Sequence, residues 1–339
     1  MPATFLITGA TGLVGFRILT LALEAGHNVV YTARSEDKAR AVSSNPAVQK
    51  LAPGSRLSSV IIPDFDVEGA FDSALEGITH VVHAGSPVPV PLTRAPMEIY
   101  EPTVRMSTDL VNSALKWPGV KRIVITSSFI GSVGLTAPTG TVSAATRHAL
   151  PDGEPTAFED VGAAYAMGKI VGLHRTDEFM RTRKPHFSLS HIVPGFVFGR
   201  NELALDADMM RTQNSTNNFM MMAMLGQEVP FTVLAGYAHI DDIAELHLRV
   251  ALQDPKPDGP ADFGLALKVD YSGIFDIVAK AFPRAVAEGV FTRGFMPTGP
   301  VDFDSSDAVE LLGGKVKSFE SMVLDVAGQY LETLGKEKA

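Results

Sequence analysis

Thr8-Gly9-Ala10-Thr11-Gly12-Leu13-Val14-Gly15 lies between an apolar run, Thr4 to Ile7, and a segment whose apolar residues recur at helical spacing. Glycines at every third position in a strand–turn–helix context are typical of a loop that binds the pyrophosphate of a dinucleotide. Gly9 would permit a tight turn, Gly12 would let the backbone approach the phosphates, and Gly15 would let helix and sheet pack closely. A simple glycine-rich turn is the alternative, and the coincidence with the helical periodicity argues against it.

The first half of the chain alternates short apolar runs with helical patterns, which predicts a parallel sheet built from strand–helix–strand units. Further strands are expected over 28–32, 59–62, 79–84, 122–126 and 188–193, and helices over 69–75, 97–116 and 161–183. We therefore expect an α/β fold, a Rossmann-type doubly wound parallel sheet with a smaller mixed α/β C-terminal substrate lobe. Residues 1–194 and part of 236–252 are expected to form the nucleotide-binding domain, and 195–235 and 253–339 the substrate lobe.

Composition limits the possible partners. The chain has 339 residues, a formal net charge of −9 and no cysteine. The acidic balance argues against nucleic acid or an anionic membrane, and the lack of cysteine excludes disulfides, thiolate nucleophiles and cysteine metal sites. No targeting segment or long apolar window is present, so we expect a cytoplasmic protein without membrane association. A small molecule is the expected partner, and the sequence leaves monomer and homodimer open.

The end of the second strand carries no carboxylate. NAD-binding folds place an acid there, about 20 residues beyond the glycines, to hold the adenosine ribose. Here the chain reads Thr32-Ala33-Arg34-Ser35, with Lys38 four residues beyond the arginine. Arg34 can form a bidentate pair with a 2′-phosphate, which favours NADPH over NADH. A solvated loop arginine, with Glu36 and Asp37 nearby, is the alternative.

The third and fourth strands end in further candidate cofactor contacts. Asp64 and Phe65 could flank the adenine, although any polar strand exit could have this composition. The run His83-Ala84-Gly85-Ser86-Pro87 supplies small residues where a backbone must pass close to a ribose or nicotinamide. The histidines of the fourth strand have no third ligand placed near them, so no metal site is expected.

Candidate catalytic residues follow the fifth strand. Thr126-Ser127-Ser128 ends at the carboxyl edge, where open parallel sheets bind ligands. Tyr165 and Lys169 are four residues apart, on one face of a predicted helix. Ser128 could polarise a carbonyl, Tyr165 could donate a proton, and Lys169 could lower the pKa of that phenol and hold the nicotinamide ribose. Alone, the pair is more typical of an amphipathic helix; its order after the glycine loop and Ser128 favours catalysis.

In this order, the motifs resemble the extended short-chain dehydrogenase/reductase superfamily, which is NAD-dependent epimerase/dehydratase-like. The resemblance is strongest to its dihydroflavonol 4-reductase-like branch, which includes yeast-type methylglyoxal, aldehyde and ketone reductases. It also draws on Pro194-Gly-Phe-Val-Phe-Gly199 and His239-Ile-Asp-Asp-Ile243. It implies NADPH as the cofactor and Ser128, Tyr165 and Lys169 as the catalytic set. It implies cofactor contacts from Thr8, Gly9, Ala10, Thr11, Gly12, Leu13, Val14, Gly15, Arg34, Lys38, Asp64, Phe65, Tyr165, Lys169, Pro194, Val197 and Thr216.

Three further features bear on the resemblance. Met106 stands where relatives usually carry Gly, and Asp109 where they usually carry Asn, which argues against an Asn-dependent proton relay. His239 with its two following aspartates is expected to lock the C-terminal lobe to the sheet rather than to perform chemistry. The methionine-rich run over residues 219–225 predicts either a core helix or an adaptable substrate wall.

The sequence therefore predicts an NADPH-dependent carbonyl reductase that forms an alcohol. Its expected pocket walls are apolar and favour a hydrophobic substrate: Pro87 to Pro91, Phe129, Ile130, Phe196, Met209, Met210 and Phe219. A nucleotide-sugar epimerase or dehydratase that retains NAD is one alternative, although Ala33 stands where those enzymes usually have Asp. A non-catalytic NADP-binding sensor or scaffold is another, and the intact Ser128, Tyr165 and Lys169 set argues against it.

Overall fold

The computed structural model describes residues 2–89, 95–134, 140–255, 259 and 261–336. Its strands are β1 (Thr4–Thr8), β2 (Asn28–Ala33), β3 (Leu57–Ile61), β4 (His80–His83), β5 (Arg122–Thr126), β6 (Val142–Ser143), β7 (Ser188–Pro194), β8 (Phe196–Phe198), β9 (Val233–Leu234), β10 (Tyr237–His239), β11 (Phe263–Leu265), β12 (Thr298–Gly299) and β13 (Phe303–Asp304). Its α-helices are α1 (Leu13–Glu24), α2 (Glu36–Ser43), α3 (Pro46–Lys50), α4 (Met97–Ala114), α5 (Phe129–Val133), α6 (Val161–Arg183), α7 (Ala207–Thr212), α8 (Asn217–Met224), α9 (Ile240–Leu252), α10 (Ile274–Ala281), α11 (Pro283–Ala287), α12 (Ser306–Leu311) and α13 (Phe319–Thr333).

A seven-stranded sheet of order β11-β7-β5-β4-β1-β2-β3 forms the centre of the molecule. Every neighbouring pair in it is parallel. The chain winds outward from β1 to β3, crosses back to β4 on the other side of β1, and continues outward. After β1 and β4 the chain turns toward opposite sides of this switch point, where doubly wound sheets have a crevice at their carboxyl edge. The structure confirms the predicted Rossmann-type doubly wound fold.

Alternate residues of the strands pack into two different cores. Phe5 and Ile7 of β1 join the core that contains α1 and α9, whereas Leu6 joins the core that contains α4. In β5, Val124 packs in the core of α1 and α9, and Ile125 packs in the core of α4. A shift of β1 by one residue would exchange these faces, so packing fixes the strand register.

A third hydrophobic core lies in the C-terminal part of the chain. Met220, Met221 and Met224 of α8 are fully buried in it, together with side chains of α10 and α13. The methionine-rich run is therefore a core helix, and Phe219, Met222 and Leu225 are its partly buried residues. Met fills such a core well because its unbranched side chain adapts to irregular gaps.

One sequence-based expectation is wrong in detail. The helix expected over 69–75 is reduced to the short 3₁₀ turn Ser73–Leu75, because Gly69 has a φ of +75°, outside the helical region.

Strand β11 pairs with β7 and extends the main sheet. It lies within residues 253–339, which are expected to belong to the substrate lobe. The division of the chain into two domains stays a prediction.

His239, the last residue of β10, joins the two-stranded sheet of β8 and β10 to the C-terminal helices. Its Nε2 lies 3.0 Å from Asp325 of α13, and its Nδ1 accepts a hydrogen bond from the Asp241 amide at the start of α9. The carboxylate of Asp242 accepts a hydrogen bond of 2.8 Å from the Lys317 amide, and the Lys317 ammonium pairs with Asp241. These contacts hold the motif against Lys317 and Asp325, and its expected role of locking the C-terminal lobe to the sheet stays a prediction. Among the helices of the described residues, none is long and apolar enough to cross a membrane.

Candidate active site

Two glycines of the loop after β1 are required by the protein itself. Gly9 has a φ of +75°, and a Cβ there would lie 2.6 Å from the Gly85 nitrogen. A Cβ on Gly15 would lie 2.5 Å from the carbonyl carbon of Gly9. Because real Cβ atoms do not approach backbone this closely, any larger residue would push apart the loop, α1 and the segment after β4. These positions match the roles expected from the sequence.

Gly12 is different, because the protein leaves space around it. It caps α1 with an extended backbone (φ −118°, ψ 168°), and a Cβ would meet only the Gly9 oxygen, at an ordinary 3.5 Å. Thr11 and Gly12 are both exposed, and the first amides of α1 that follow have no partner within the helix. A glycine that the fold does not need, at an open helix N-terminus, fits a bound pyrophosphate. The residues present therefore fit a dinucleotide cofactor.

Thr8 and His83 join the two loops that flank this crevice. The Thr8 hydroxyl lies 2.8 Å from His83 Nδ1 and accepts a 3.1 Å hydrogen bond from the Gly85 amide. Both side chains are buried, and burial together with the charge of Lys169 lowers the pKa of His83 to about 3. A neutral imidazole thus fixes the segment that carries Ala84 and Ser86, both half-buried. Sequence reasoning considered this histidine only as a metal ligand and missed its partner 75 residues away.

Arg34 and Lys38 follow β2 and are exposed. Neither side chain has an ion-pair partner among the described residues. Asp37, which could have neutralised Arg34, lies 3.4 Å from Arg40 instead. Two free cations at the end of β2 suit an anionic group such as a 2′-phosphate.

Asp64 and Phe65 lie beyond β3. Asp64 is exposed, and its carboxylate accepts a 2.9 Å hydrogen bond from the Asp66 amide. The Phe65 ring stacks on Phe71, with centroids 5.7 Å apart and planes 11° apart. Both residues are thus held at the carboxyl edge of the sheet, and their contact with an adenine stays a prediction.

The proposed catalytic side chains meet at the end of β5. Ser128 caps α5, where its hydroxyl accepts a 3.4 Å hydrogen bond from the Ile130 amide. Lys169 Nζ donates a 3.2 Å hydrogen bond to the Thr126 carbonyl and lies 5.5 Å from the centroid of the Tyr165 ring. The ammonium thus joins the helix that carries Tyr165 to the strand that leads to Ser128.

Burial controls the electrostatics of this cluster. Burial raises the pKa of Tyr165 to about 12, and interaction with the Ser128 hydroxyl opposes that rise only in part. Burial also lowers the pKa of Lys169 to about 8. Desolvation of the phenolate therefore dominates the pKa of Tyr165 in the protein by itself, and the expectation that Lys169 lowers this pKa during the reaction stays a prediction.

The segment after β7 brings the remaining expected cofactor contacts together. Pro194 and Val197 are buried, and the Thr216 hydroxyl donates a hydrogen bond to the Val197 carbonyl. With its proton already used, that hydroxyl can only accept a hydrogen bond from a ligand.

The expected pocket walls divide into core and accessible residues. Phe129 and Met210 are fully buried, whereas Met209 is 42% exposed and Ile130, Phe196 and Phe219 are half-buried. Part of the expected wall Pro87 to Pro91 lies outside the described residues, which end at 89 on this side.

One acidic cluster lies away from the crevice. Asp177, His191 and Asp262 bring three potential ligand atoms within 4.8 Å of one another. Arg147 pairs with both carboxylates, at 2.7 Å from Asp177 and 2.5 Å from Asp262. A guanidinium already neutralises these acids, so they form an ion-pair network.

Comparisons with known proteins agree with this architecture. The sequence profile of the NAD dependent epimerase/dehydratase family matches residues 5–264. Ketoreductase CTB6 of Cercospora nicotianae is 34% identical over 347 residues, which cover 98% of this chain and 96% of that protein. The NAD-dependent epimerase/dehydratase ALT6 of Alternaria alternata is 34% identical and covers 94% and 95%. The solved yeast methylglyoxal/isovaleraldehyde reductase Gre2 with NADPH has a TM-score of 0.80 at 22% identity, covering 98% and 100%.

Alanine substitutions at two of the loop glycines distinguish an effect on stability from an effect on cofactor binding. Gly15→Ala is expected to lower the free energy of unfolding by about 1–3 kcal/mol, because its methyl group overlaps the Gly9 backbone. Gly12→Ala is expected to keep wild-type stability and weaken NADPH binding about tenfold, because its methyl group occupies the open face of the loop. Thermal denaturation and NADPH fluorescence titration measure the two effects. Wild-type affinity in the Gly12 variant would contradict the pyrophosphate assignment.

Proposed function

Because this chain belongs to the NAD dependent epimerase/dehydratase family, we propose that it is an NADPH-dependent reductase that converts an aldehyde or ketone into an alcohol. The membership itself agrees with the resemblance that the sequence motifs indicated. The observation that carries the proposal is the meeting of Ser128, Tyr165 and Lys169 at the carboxyl edge, beside the glycine loop.

Each of the three side chains has a distinct task in the proposed reaction. Bound NADPH supplies the hydride for the carbonyl carbon. Tyr165 donates its phenolic proton to the carbonyl oxygen, so that the new C–H and O–H bonds complete the alcohol. Ser128 donates a hydrogen bond to the same oxygen and stabilises its developing negative charge. Lys169, anchored on the Thr126 carbonyl, keeps its other N–H groups for the ribose hydroxyls and favours the phenolate that remains.

The high pKa of Tyr165 supports the direction of reduction. With a pKa of about 12, the phenol keeps its proton at neutral pH and acts as a donor rather than as a base. Lys169, with a pKa of about 8, is mainly cationic under the same conditions. Its charge lies 5.5 Å from the centroid of the ring that becomes negative after proton transfer.

The end of β2 supports NADPH as the cofactor. Arg34 and Lys38 are exposed cations without partners among the described residues, and Ala33 replaces the acid that would hold an unphosphorylated ribose. The yeast reductase of the same fold was solved with NADPH.

A hydrophobic substrate is supported by a row of aromatic rings that begins next to Ser128. Phe129 contacts Phe196 edge-on at 5.6 Å, Phe196 contacts Phe219 at 6.5 Å, and Phe219 contacts Phe231 at 5.2 Å. Phe196, Phe219 and Phe231 remain half-exposed. Phe196 also contacts the fully buried ring of Tyr271 edge-on, with the ring centroids 6.4 Å apart. Fixed, partly exposed rings form an apolar wall that gains free energy when a ligand covers it.

The second candidate is an epimerase or dehydratase that retains its cofactor. The name of the Alternaria relative favours it, since that protein is 34% identical over nearly its whole length. Ala33 and Arg34 disfavour it, because tight retention of NAD usually relies on an acid at this position. A binding protein without turnover is disfavoured by the complete catalytic set.

Replacement of the proton donor tests the proposed reaction. Tyr165→Phe is expected to lower kcat about a thousandfold with a panel of aromatic and aliphatic ketones, because phenylalanine has no proton to donate to the carbonyl oxygen. NADPH affinity should remain within about twofold of wild type. Turnover is followed by the loss of NADPH absorbance.

Tyr100→Phe is the matched control. Burial also raises the pKa of Tyr100 to about 12, but its hydroxyl donates to Glu154, in the segment that precedes α6. This variant should keep wild-type turnover. Full activity in Tyr165→Phe would overturn the catalytic assignment.

Arg34→Ala tests the cofactor. We expect NADPH affinity to fall about 10- to 100-fold and NADH affinity to change little, because only NADPH carries the 2′-phosphate. Arg40→Ala, which removes an exposed arginine of α2 paired with Asp37, is the control and should bind both cofactors normally. Equal losses of NADPH and NADH affinity would remove the assignment of Arg34.

A further inference from the structure

Thr126, the last residue of β5, makes hydrogen bonds on both faces of the sheet. Its carbonyl accepts the 3.2 Å hydrogen bond from Lys169 Nζ of α6. Its hydroxyl lies 2.8 Å from Nε2 of His247, a fully buried residue of α9. Val124, two residues earlier, faces the core that contains α9, so strand alternation directs the Thr126 side chain to that same side. The proposed catalytic lysine and a histidine on the opposite helix layer are thus joined through a single residue.

The direction of this hydrogen-bond chain is fixed. His247 Nδ1 lies 2.7 Å from the Ile243 carbonyl, which can only accept, so Nδ1 carries a proton. Burial lowers the pKa of His247 to about 4, so the ring is neutral and its Nε2 is an acceptor. The Thr126 hydroxyl must therefore donate to Nε2. One rotamer of Thr126 and one tautomer of His247 satisfy the whole chain.

We propose that His247 is a positioning residue for Lys169, an inference that rests on the proposed function. Through the Thr126 hydroxyl it holds the end of β5, and with it the carbonyl that anchors the ammonium. The anchored ammonium keeps two N–H groups directed away from Thr126, toward the place proposed for the ribose and the phenol. The same restraint acts two residues before Ser128, so it aligns the lysine and the serine together.

A second buried threonine–histidine pair in the chain supplies a matched control. Thr176 of α6 lies 2.9 Å from His191 Nε2, and His191 Nδ1 is held by Asp262 at 2.9 Å. Both side chains are as buried as His247. Thr176 belongs to the same helix as Lys169, and the hydrogen bonds of its hydroxyl among the described residues are with Gly172, Leu173 and His191, not with Thr126. A substitution of Thr176 therefore measures how much stability is lost when such a hydrogen-bonded pair is removed away from the proposed site.

The experiment compares Thr126→Val with Thr176→Val. Valine keeps the shape of threonine and removes the hydroxyl, so each variant leaves Nε2 of one buried histidine without its hydrogen-bond partner. Both should lower the melting temperature. Only Thr126→Val should lower kcat, by about tenfold, and weaken NADPH binding, by about fivefold, because only it releases the anchor of Lys169. Thr126→Ser, which keeps the hydroxyl, should recover most of the loss.

A double-mutant cycle with Lys169→Met tests whether the effect passes through the lysine. In the Lys169→Met background, Thr126→Val should weaken NADPH binding no further, since the group that it positions is absent. Additive losses of affinity would overturn the inference, as would identical kinetics of Thr126→Val and Thr176→Val. If the valine variant does not fold, Thr126→Ala takes its place in the cycle.

The result also separates this inference from the function on which it rests. Wild-type turnover and NADPH affinity in Lys169→Met would overturn both. Loss of turnover in Lys169→Met, together with a Thr126→Val enzyme that changes only in melting temperature, would overturn the role of His247 and leave the proposed reaction intact.

Discussion

The close approach of the Gly9 backbone to the segment after β4 is the constraint on which the site depends. A Cβ at Gly9 would lie 2.6 Å from the Gly85 nitrogen, so only glycine lets the two loops meet. The buried Thr8–His83 pair then holds them together. Because β1 and β4 are the strands between which the winding reverses, this contact defines the inner wall of the crevice.

The rest of the site is assembled by groups that reach the end of β5 from both faces of the sheet. Lys169 arrives from α6 and His247 from α9, and both meet at Thr126. This arrangement explains how a helix that begins 33 residues after Ser128 can present Tyr165 and Lys169 to that serine with defined geometry. Helix α9 carries no residue with a proposed chemical role, but through His247 it helps to position the end of β5. Rigid support of this kind is what proton and hydride transfer require, since small errors in position cost much of the rate.

Features with a local cause could be predicted from the sequence. The central strands β1, β4 and β5 are mostly buried and appear as short runs rich in apolar residues, and the glycine loop is recognisable because its spacing coincides with the start of α1. Features that depend on distant partners could not. Strand β11 has only three residues and becomes a strand through its pairing with β7. The raised pKa of Tyr165 results from burial, which depends on tertiary packing. The proposed role of His247 depends on its hydrogen bond with a hydroxyl 121 residues away in sequence.

The central claim is that the cofactor transfers a hydride to the carbonyl carbon of a substrate, which is then released as an alcohol. Purified enzyme, an aromatic ketone, and NADPH deuterated at either of the two C4 positions test it most directly, with the alcohol analysed by mass spectrometry and NMR. We predict that one of the two labelled cofactors places one deuterium on the carbinol carbon and that the other places none. An alcohol without deuterium from either cofactor, or a cofactor that keeps its label while the substrate is rearranged, would contradict the account.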